Sequence, residues 1–323
     1  MTRWRGLAAL PGAALGWIGR QGTRAVAISI FVGLALPPLA SLLKPVFPET
    51  LFVLLCLAFL RVDPAAVRRH AARPGLICAA VIWLMIAVPL IAGWLLAATG
   101  TAERSGAIAL ALALQAAAPP ITASPALAAL IGFDAALSLV GLIACTAVAP
   151  LSAPVVAFVF IGPAAAIAPL ALALRLFAML AGAAIAAALV RRLTGQPWLD
   201  RHAHEIDGLN VLALFVFAVS FMEGVPAHAL ADPLRVAALL LVAFAVAAAL
   251  GGVTALAFAW AGRATACALA LSSACRNMGL MLAAAGGAVP DLAWLYMALA
   301  QFPIYLLPHL LKRLAWAARG TKG

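Results

Sequence analysis

Apolar segments long enough to cross a bilayer, which takes about 20 residues, follow one another along nearly the whole chain of 323 residues. Each segment is continuously apolar rather than alternating, and this excludes a membrane β-barrel. Hydrophobic residues make up 67% of the chain and charged residues 10%, which lies outside the range of soluble domains. The sequence therefore predicts an all-α polytopic membrane protein.

About ten transmembrane helices fit the sequence with short connections between them. We number them spans one to ten and expect them near 25–43, 50–62, 75–98, 105–131, 135–160, 166–190, 208–222, 233–260, 264–287 and 292–311. Span one should be kinked at Pro37 and Pro38, since proline disrupts a helix. Span two is short unless it begins near Phe47.

Lysine and arginine are distributed unevenly between the two sides of this predicted arrangement. On the side that holds the N-terminus we count 16 of the 21: Arg3, Arg5, Arg20, Arg24, Arg61, Arg68, Arg69, Arg73, Arg191, Arg192, Arg201, Arg263, Lys312, Arg313, Arg319 and Lys322. The opposite side has Lys44, Arg104 and Arg235. Because basic loops stay in the cytoplasm, both termini are predicted to be cytoplasmic, in a bacterial-type inner membrane. The net charge of +11 then reflects topology and requires no nucleic-acid partner.

The predicted spans divide into two sets of five, which suggests an internal duplication. The proposed segments are a cytoplasmic amphipathic arm (1–24), a first repeat (25–160), a second repeat (166–315) and a basic cytoplasmic tail (316–323). A duplicated unit with an odd number of spans must insert its second copy upside down, as in the inverted repeats of many secondary transporters. Span four then corresponds to span nine.

Span four contains a proline-rich interruption. Gln115 is followed by PPITASP at 119–125, in which Pro119, Pro120 and Pro125 are the expected helix-breaking residues. Adjacent prolines remove two backbone donors and clash with the preceding turn. We expect a true break, with Thr122 or Ser124 capping the restarted half-helix. The alternative is a kinked helix whose serine and threonine bond their own backbone.

Span nine contains an arginine near its middle. Arg276 stands among the polar residues Ser272, Ser273 and Asn277, followed by Gly279. A charged side chain at mid-bilayer costs about 2.5–3.5 kcal/mol on insertion scales, so Arg276 should face the protein interior. The alternative is an arginine that snorkels from a helix end, which is the interpretation we give to Arg175 in span six.

Three motifs resemble those of the bile acid:sodium symporter superfamily, as in a divergent bacterial-type member: PPITASP at 119–125, GFDAALS at 132–138 and RNMGL at 276–280. The resemblance implies a core of spans three to five and eight to ten, with crossed, unwound helices four and nine. Spans one, two, six and seven would form a panel, and substrate would sit between core and panel.

This chain departs from the family pattern at the positions expected to hold sodium. Arg276 replaces a glutamine, Ser272 stands where the family has a sodium-binding glutamate, and Pro125 replaces an asparagine, whereas Ser138 is kept. All ten acidic residues fall in predicted loops or at span ends. We therefore expect no metal site and no cofactor.

The expected substrate is a small organic anion, because half-helix N-termini carry positive partial charge and free N–H groups. The candidate binding residues are Thr122, Ser124, Arg276, Asn277, Met278 and Gly279. Second-rank candidates are Gln115, Ser272, Ser273 and Ser138. Arg276 would supply a counter-charge for a carboxylate.

The leading functional hypothesis is a secondary transporter of carboxylates, bile-acid-like or pantoate-like, that is not coupled to sodium through the family's usual site. A sodium-coupled symporter with a rearranged ion site and a non-coupled channel or receptor are the alternatives. An enzyme is not expected, because no carboxylate or histidine lies at depth to activate Ser272 or Ser273. The partners are the lipid bilayer and the substrate, and the oligomeric state stays open.

Overall fold

A computed structural model describes residues 28–62, 74–161, 168–286 and 289–306. Every regular element in these ranges is a helix. The arm at 1–24, the tail at 316–323 and the outer parts of spans one and ten lie outside the described residues. The prediction of an all-α polytopic protein is confirmed.

Six described segments are long and apolar enough to cross a membrane, namely Pro37–Leu60, Pro74–Ala98, Ala135–Phe160, Pro169–Thr194, Ala203–Ala231 and Pro233–Ala257. Spans four and nine are absent from this set because each consists of two shorter helices. Span four comprises Gly106–Ala117 and Ser124–Ile131, and span nine comprises Arg263–Ala274 and Met278–Ala285. We refer to these four helices as the half-helices.

The other described α-helices follow in chain order. They are 28–35, Pro37–Leu43, Phe47–Leu60, Pro74–Ile82, Val88–Ala98, Thr101–Arg104, Ala135–Ile161, Pro169–Thr194, Gln196–Arg201, Ala203–Phe221, Val225–Ala231, Pro233–Ala257, Asp291–Leu299 and 301–306. Helix Phe47–Leu60 begins at Phe47, which gives span two its missing length. Span one is interrupted at Leu36, where the backbone is non-helical (φ −123°, ψ 70°) immediately before Pro37.

The helices group into two compact units. Of the described residues, the first contains 28–62 and 179–232, and the second contains 74–161, 168–178, 233–286 and 289–306. In the first unit, Phe47–Leu60 packs against Ala203–Phe221. Two ion pairs mark opposite ends of this helix pair, Lys44 with Glu223 and Arg61 with Asp207. The two helices are therefore antiparallel, as spans two and seven should be.

The second unit contains both pairs of half-helices, and small residues allow its helices to approach closely. Pro233–Ala257 packs along Arg263–Ala274, where a Cβ at Gly251 would already lie 3.4 Å from the Ala270 carbonyl oxygen. Span three joins this pair through Trp83, whose Nε1 donates to Thr254 Oγ1 at 3.0 Å. This packing places the interruptions of spans four and nine within one unit.

Candidate functional site

The interruptions of spans four and nine cross each other as two short extended strands. The Ile121 N–H donates to the Cys275 carbonyl at 3.0 Å, and the Asn277 N–H donates to the Pro119 carbonyl at 2.8 Å. Pro120 and Arg276 face each other at the centre of this antiparallel pairing. We call the residues 118–121 and 275–277 the crossing.

Different causes unwind the two helices at the crossing. In span four, Ala118 is already extended (φ −64°, ψ 142°), as expected before consecutive prolines that lack N–H groups. The span-nine interruption contains no proline. Its backbone groups at Cys275 and Asn277 instead pair with span four. Because the prolines keep span four extended, its Pro119 carbonyl and Ile121 N–H are available to pair with span nine, and this pairing keeps span nine unwound.

The second half-helix of span nine begins with a side-chain cap. Asn277 Oδ1 accepts a hydrogen bond from the Leu280 N–H at 3.1 Å, as expected for an N-cap asparagine. Its neighbour Met278 donates its N–H to the Arg276 carbonyl at 2.9 Å. Asn277, Met278 and Gly279 are all buried at this helix start.

The prediction that Thr122 or Ser124 caps the second half-helix of span four is wrong. The N-cap residue of Ser124–Ile131 is Ala123, and no side chain caps this helix. Ser124 is the first helical residue, so its side chain lies beyond the capping position, and Pro125 offers no N–H to bond. Ser124 is fully buried, and its Oγ has no hydrogen-bond partner among the described residues. Thr122 is only half-buried.

Arg276 is completely buried at the crossing, where its guanidinium binds backbone carbonyls. Nε donates to Ser273 at 3.0 Å, and Nη1 donates to Ala118 at 2.8 Å and to Leu84 at 3.0 Å. Ser273 and Ala118 lie at the C-terminal ends of the first half-helices, where carbonyls lack partners within their own helix. A positive charge there also complements the helix dipoles. Nη2 has no partner within the described residues.

Span three supplies the third carbonyl through a π turn at Trp83–Ala87. The Val88 N–H bonds the Trp83 carbonyl instead of the Leu84 carbonyl. The next residue, Pro89, has no N–H to offer. The carbonyl of Leu84 is therefore left without a partner in its own helix and accepts from Arg276. The sequence analysis identified neither Leu84 nor Pro89, although a proline within an apolar span is a signal of an irregular helical turn.

The second-rank candidates lie in buried positions with different partners. Gln115 Oε1 accepts from the Tyr296 hydroxyl at 2.7 Å, and Tyr296 was not identified from the sequence. Ser272 Oγ donates to the Ala268 carbonyl at 3.0 Å. The hydroxyls of Ser138 and Ser273 are buried and have no partner among the described residues. The structure thus brings Ser273, Arg276, Asn277 and the span-four interruption together, and links Ser138 to them by no hydrogen bond.

The charges at the crossing come from the Arg276 guanidinium and from the ends of the half-helices. The guanidinium of Arg276 compensates the negative ends of the two first half-helices. The second half-helices, Ser124–Ile131 and Met278–Ala285, present their positive N-terminal ends beside the crossing. Among the described residues at or next to the crossing, Arg276 Nη2 and the hydroxyls of Ser124 and Ser273 are buried donors without partners.

A comparison with known families matches part of the chain. The model of the Sodium Bile acid symporter family matches residues 48–207, about half of the chain. The matched range contains the span-four interruption, whereas span nine lies beyond it. No curated protein matches the chain.

Proposed function

Because the chain belongs to the sodium bile acid symporter family, we propose that it is a secondary transporter of small organic anions that does not use the family's usual sodium site. Its membrane-spanning fold and the family membership support a transporter that contacts the bilayer and a small-molecule substrate. The observation that carries the finer proposal is the buried guanidinium of Arg276, which binds three carbonyls at the crossing.

Arg276 acts in this proposal as a built-in cation. A sodium ion at low dielectric must replace its hydration shell with several oxygen atoms. Here the carbonyl oxygens of Leu84, Ala118 and Ser273 already accept from the guanidinium. At an effective dielectric constant of about 20, two unit positive charges about 4 Å apart repel by about 4 kcal/mol, roughly a thousandfold in affinity. The guanidinium thus holds the half-helices together and disfavours sodium beside it.

The proposed substrate site consists of the starts of the two second half-helices. Thr122 and Ser124 contribute from span four, and Asn277, Met278 and Gly279 from span nine. Backbone N–H groups at helix starts bind carboxylates. Those of Asn277 and Met278 already bond the Pro119 and Arg276 carbonyls, so the N–H of Gly279 is the backbone donor proposed for the substrate, and the unpartnered Nη2 of Arg276 adds positive charge. Gln115, Ser272, Ser273 and Ser138 are the second-rank contributors. This chemistry suits a carboxylate, either bile-acid-like or pantoate-like.

An inverted repeat is supported by a separation of 156 residues that recurs at several corresponding positions. This shift takes Ile121 to Asn277 and Pro119 to Cys275, so it converts one hydrogen bond of the crossing into the other. It also takes the start of Phe47–Leu60 to the start of Ala203–Phe221, and Ala135 to Asp291. A local two-fold axis between Pro120 and Arg276 would produce this pattern. We therefore retain two inverted five-helix repeats, 25–160 and 166–315, as part of the proposal.

The division into compact units also agrees with a core and a panel. The first unit contains the described parts of spans one, two and seven, and the second contains those of spans three to five and eight to ten. Span six, Pro169–Thr194, has residues in both units. The resemblance implies this grouping except for span six, which it places wholly in the panel. We propose the bacterial-type inner membrane as the location, with both termini cytoplasmic.

One observation favours a second candidate, a sodium-coupled symporter with a rearranged ion site. The hydroxyl oxygens of Ser124, Ser138 and Ser273 are buried without described partners, and oxygen atoms of this kind can bind a hard cation. Removal of sodium distinguishes this candidate from the proposed transporter.

Purified protein tests the substrate class. We expect at least one carboxylate from a panel that includes cholate and pantoate to raise the melting temperature. A ligand at about 100 times its dissociation constant stabilises by about 2.7 kcal/mol. The same compound should enter proteoliposomes with a rate that saturates, whereas a channel gives flux that rises linearly. Absence of both stabilisation and saturable uptake for every carboxylate would remove the organic-anion proposal.

A further inference from the structure

The second arginine within a span, Arg175, binds the far end of a half-helix. Arg175 belongs to span six, yet its Nη1 donates to the carbonyl of Ala285 at 3.0 Å and lies 3.4 Å from that of Ala284. These carbonyls end helix Met278–Ala285, and such terminal carbonyls have no partner within the helix. The expectation that Arg175 merely snorkels outward missed this contact.

Gly286 provides the space that this contact needs. A Cβ atom at Gly286 would collide with Nη1 of Arg175. The residue also has a positive φ of 67°, which side chains other than glycine rarely tolerate. Its N–H donates to Leu282, so Gly286 and Arg175 together satisfy three of the last four carbonyls of the helix.

The contact of Arg175 with the C-terminal end of Met278–Ala285, which we call the cap, stabilises the position of this half-helix. A cation at a helix C-terminus complements the dipole, and an unsatisfied carbonyl within a membrane is costly. Met278–Ala285 has only eight residues, so it extends about 12 Å at 1.5 Å per residue. A shift at the capped end therefore moves its first turn, which contains Met278 and Gly279.

We propose that Arg175 is a positioning residue for the substrate site. It fixes the second half-helix of span nine from its C-terminal end, while Asn277 and the crossing fix the N-terminal end. This inference rests on the proposed function for the identity of the site, but the contact between Arg175 and the half-helix can be tested without any substrate.

The first test is amide hydrogen exchange of the full-length protein in lipid nanodiscs, without substrate. In Arg175→Ala we expect the peptides that cover Met278–Gly286 to exchange about tenfold faster, since loss of the cap lowers the local opening free energy. Arg175→Lys should restore part of the protection because an ammonium can still donate to one carbonyl. Arg104→Ala is the matched control, because the Arg104 side chain is exposed in the same compact unit. Unchanged exchange in Arg175→Ala would overturn the proposal.

The second test measures binding of cholate and pantoate to the same purified, monodisperse variants. Arg175→Ala and Gly286→Ala should each raise the dissociation constant about tenfold, and the double variant should lose less than the product of both effects because the two changes remove one contact. If the double variant instead loses affinity by the full product of the two single effects, Arg175 and Gly286 do not act through one contact, and the proposed cap is contradicted. If neither compound binds the wild type, the substrate assignment fails, and hydrogen exchange alone decides the role of Arg175.

Discussion

The guanidinium Nη1 of Arg276 lies 3.0 Å from the carbonyl oxygen of Leu84, although the two residues are 192 positions apart in the chain. The π turn and Pro89 leave this carbonyl without a partner in its own helix. The same nitrogen binds the carbonyl of Ala118. One buried cation thus joins spans three, four and nine at the point where spans four and nine are unwound.

Loss of the guanidinium should weaken the fold in a way that an added cation can partly repair. Arg276→Ala leaves three carbonyls without a donor, and each unsatisfied buried group costs about 1–3 kcal/mol. We expect a lower melting temperature than wild type. Methylguanidinium at low millimolar concentration should recover part of the loss, as read by thermal unfolding in detergent. Arg104→Ala should show neither effect, and an Arg276→Ala protein as stable as wild type would contradict the bonds assigned to the guanidinium.

Pro89→Ala should close the π turn into a regular α-helix. In that helix the Val88 N–H bonds the Leu84 carbonyl and the new N–H at position 89 bonds the Met85 carbonyl, so Arg276 loses one acceptor while span three gains a helical bond. We expect weaker anion binding, by about tenfold for one lost charged hydrogen bond, without a comparable loss of thermal stability. Pro233→Ala is a suitable control because Pro233 is exposed at the first position of its helix. Equal affinity of the Pro89→Ala variant and wild type for the anion would show that the π turn does not contribute to anion binding.

The paired hydroxyl variant, Thr122→Val with Ser124→Val, should separate binding from stability. Ser124 Oγ is buried without a described partner, so its removal should not lower stability. We expect anion binding to be abolished while expression stays close to wild type. Thr99→Val changes an exposed hydroxyl that bonds the Leu95 carbonyl and should bind normally. Wild-type affinity in the paired variant would move the substrate site away from span four.

Reporter fusions test the proposed topology. Fusions after Ala98 and after Gly287 should report the external side, whereas fusions after Arg192 and at Gly323 should report the cytoplasm. The prediction follows from the excess of basic residues on one side. A cytoplasmic signal after Gly287 would remove the inverted repeat and with it the correspondence between spans four and nine.

Local sequence predicts the interruptions but not all of their partners. The break of span four is predictable because Pro119 and Pro120 remove backbone donors, and Arg276 identifies span nine because a buried charge needs partners. The partners themselves are backbone carbonyls, which every residue carries, so Leu84 and Ala285 have no distinguishing side chain. The capping error at Ser124 has a similar origin, since a shift of one residue at a helix start changes which side chain can cap.

Sodium dependence tests the central claim that Arg276 replaces a bound sodium ion. The measurement is uptake into proteoliposomes of whichever carboxylate stabilises the purified protein, with sodium present or replaced by choline. We predict equal rates in the two conditions for wild type, because the guanidinium already occupies the carbonyl oxygens at the crossing, and loss of binding in Arg276→Gln. A decrease in wild-type uptake of about tenfold or more without sodium, equivalent to about 1.4 kcal/mol of coupling, would contradict the claim.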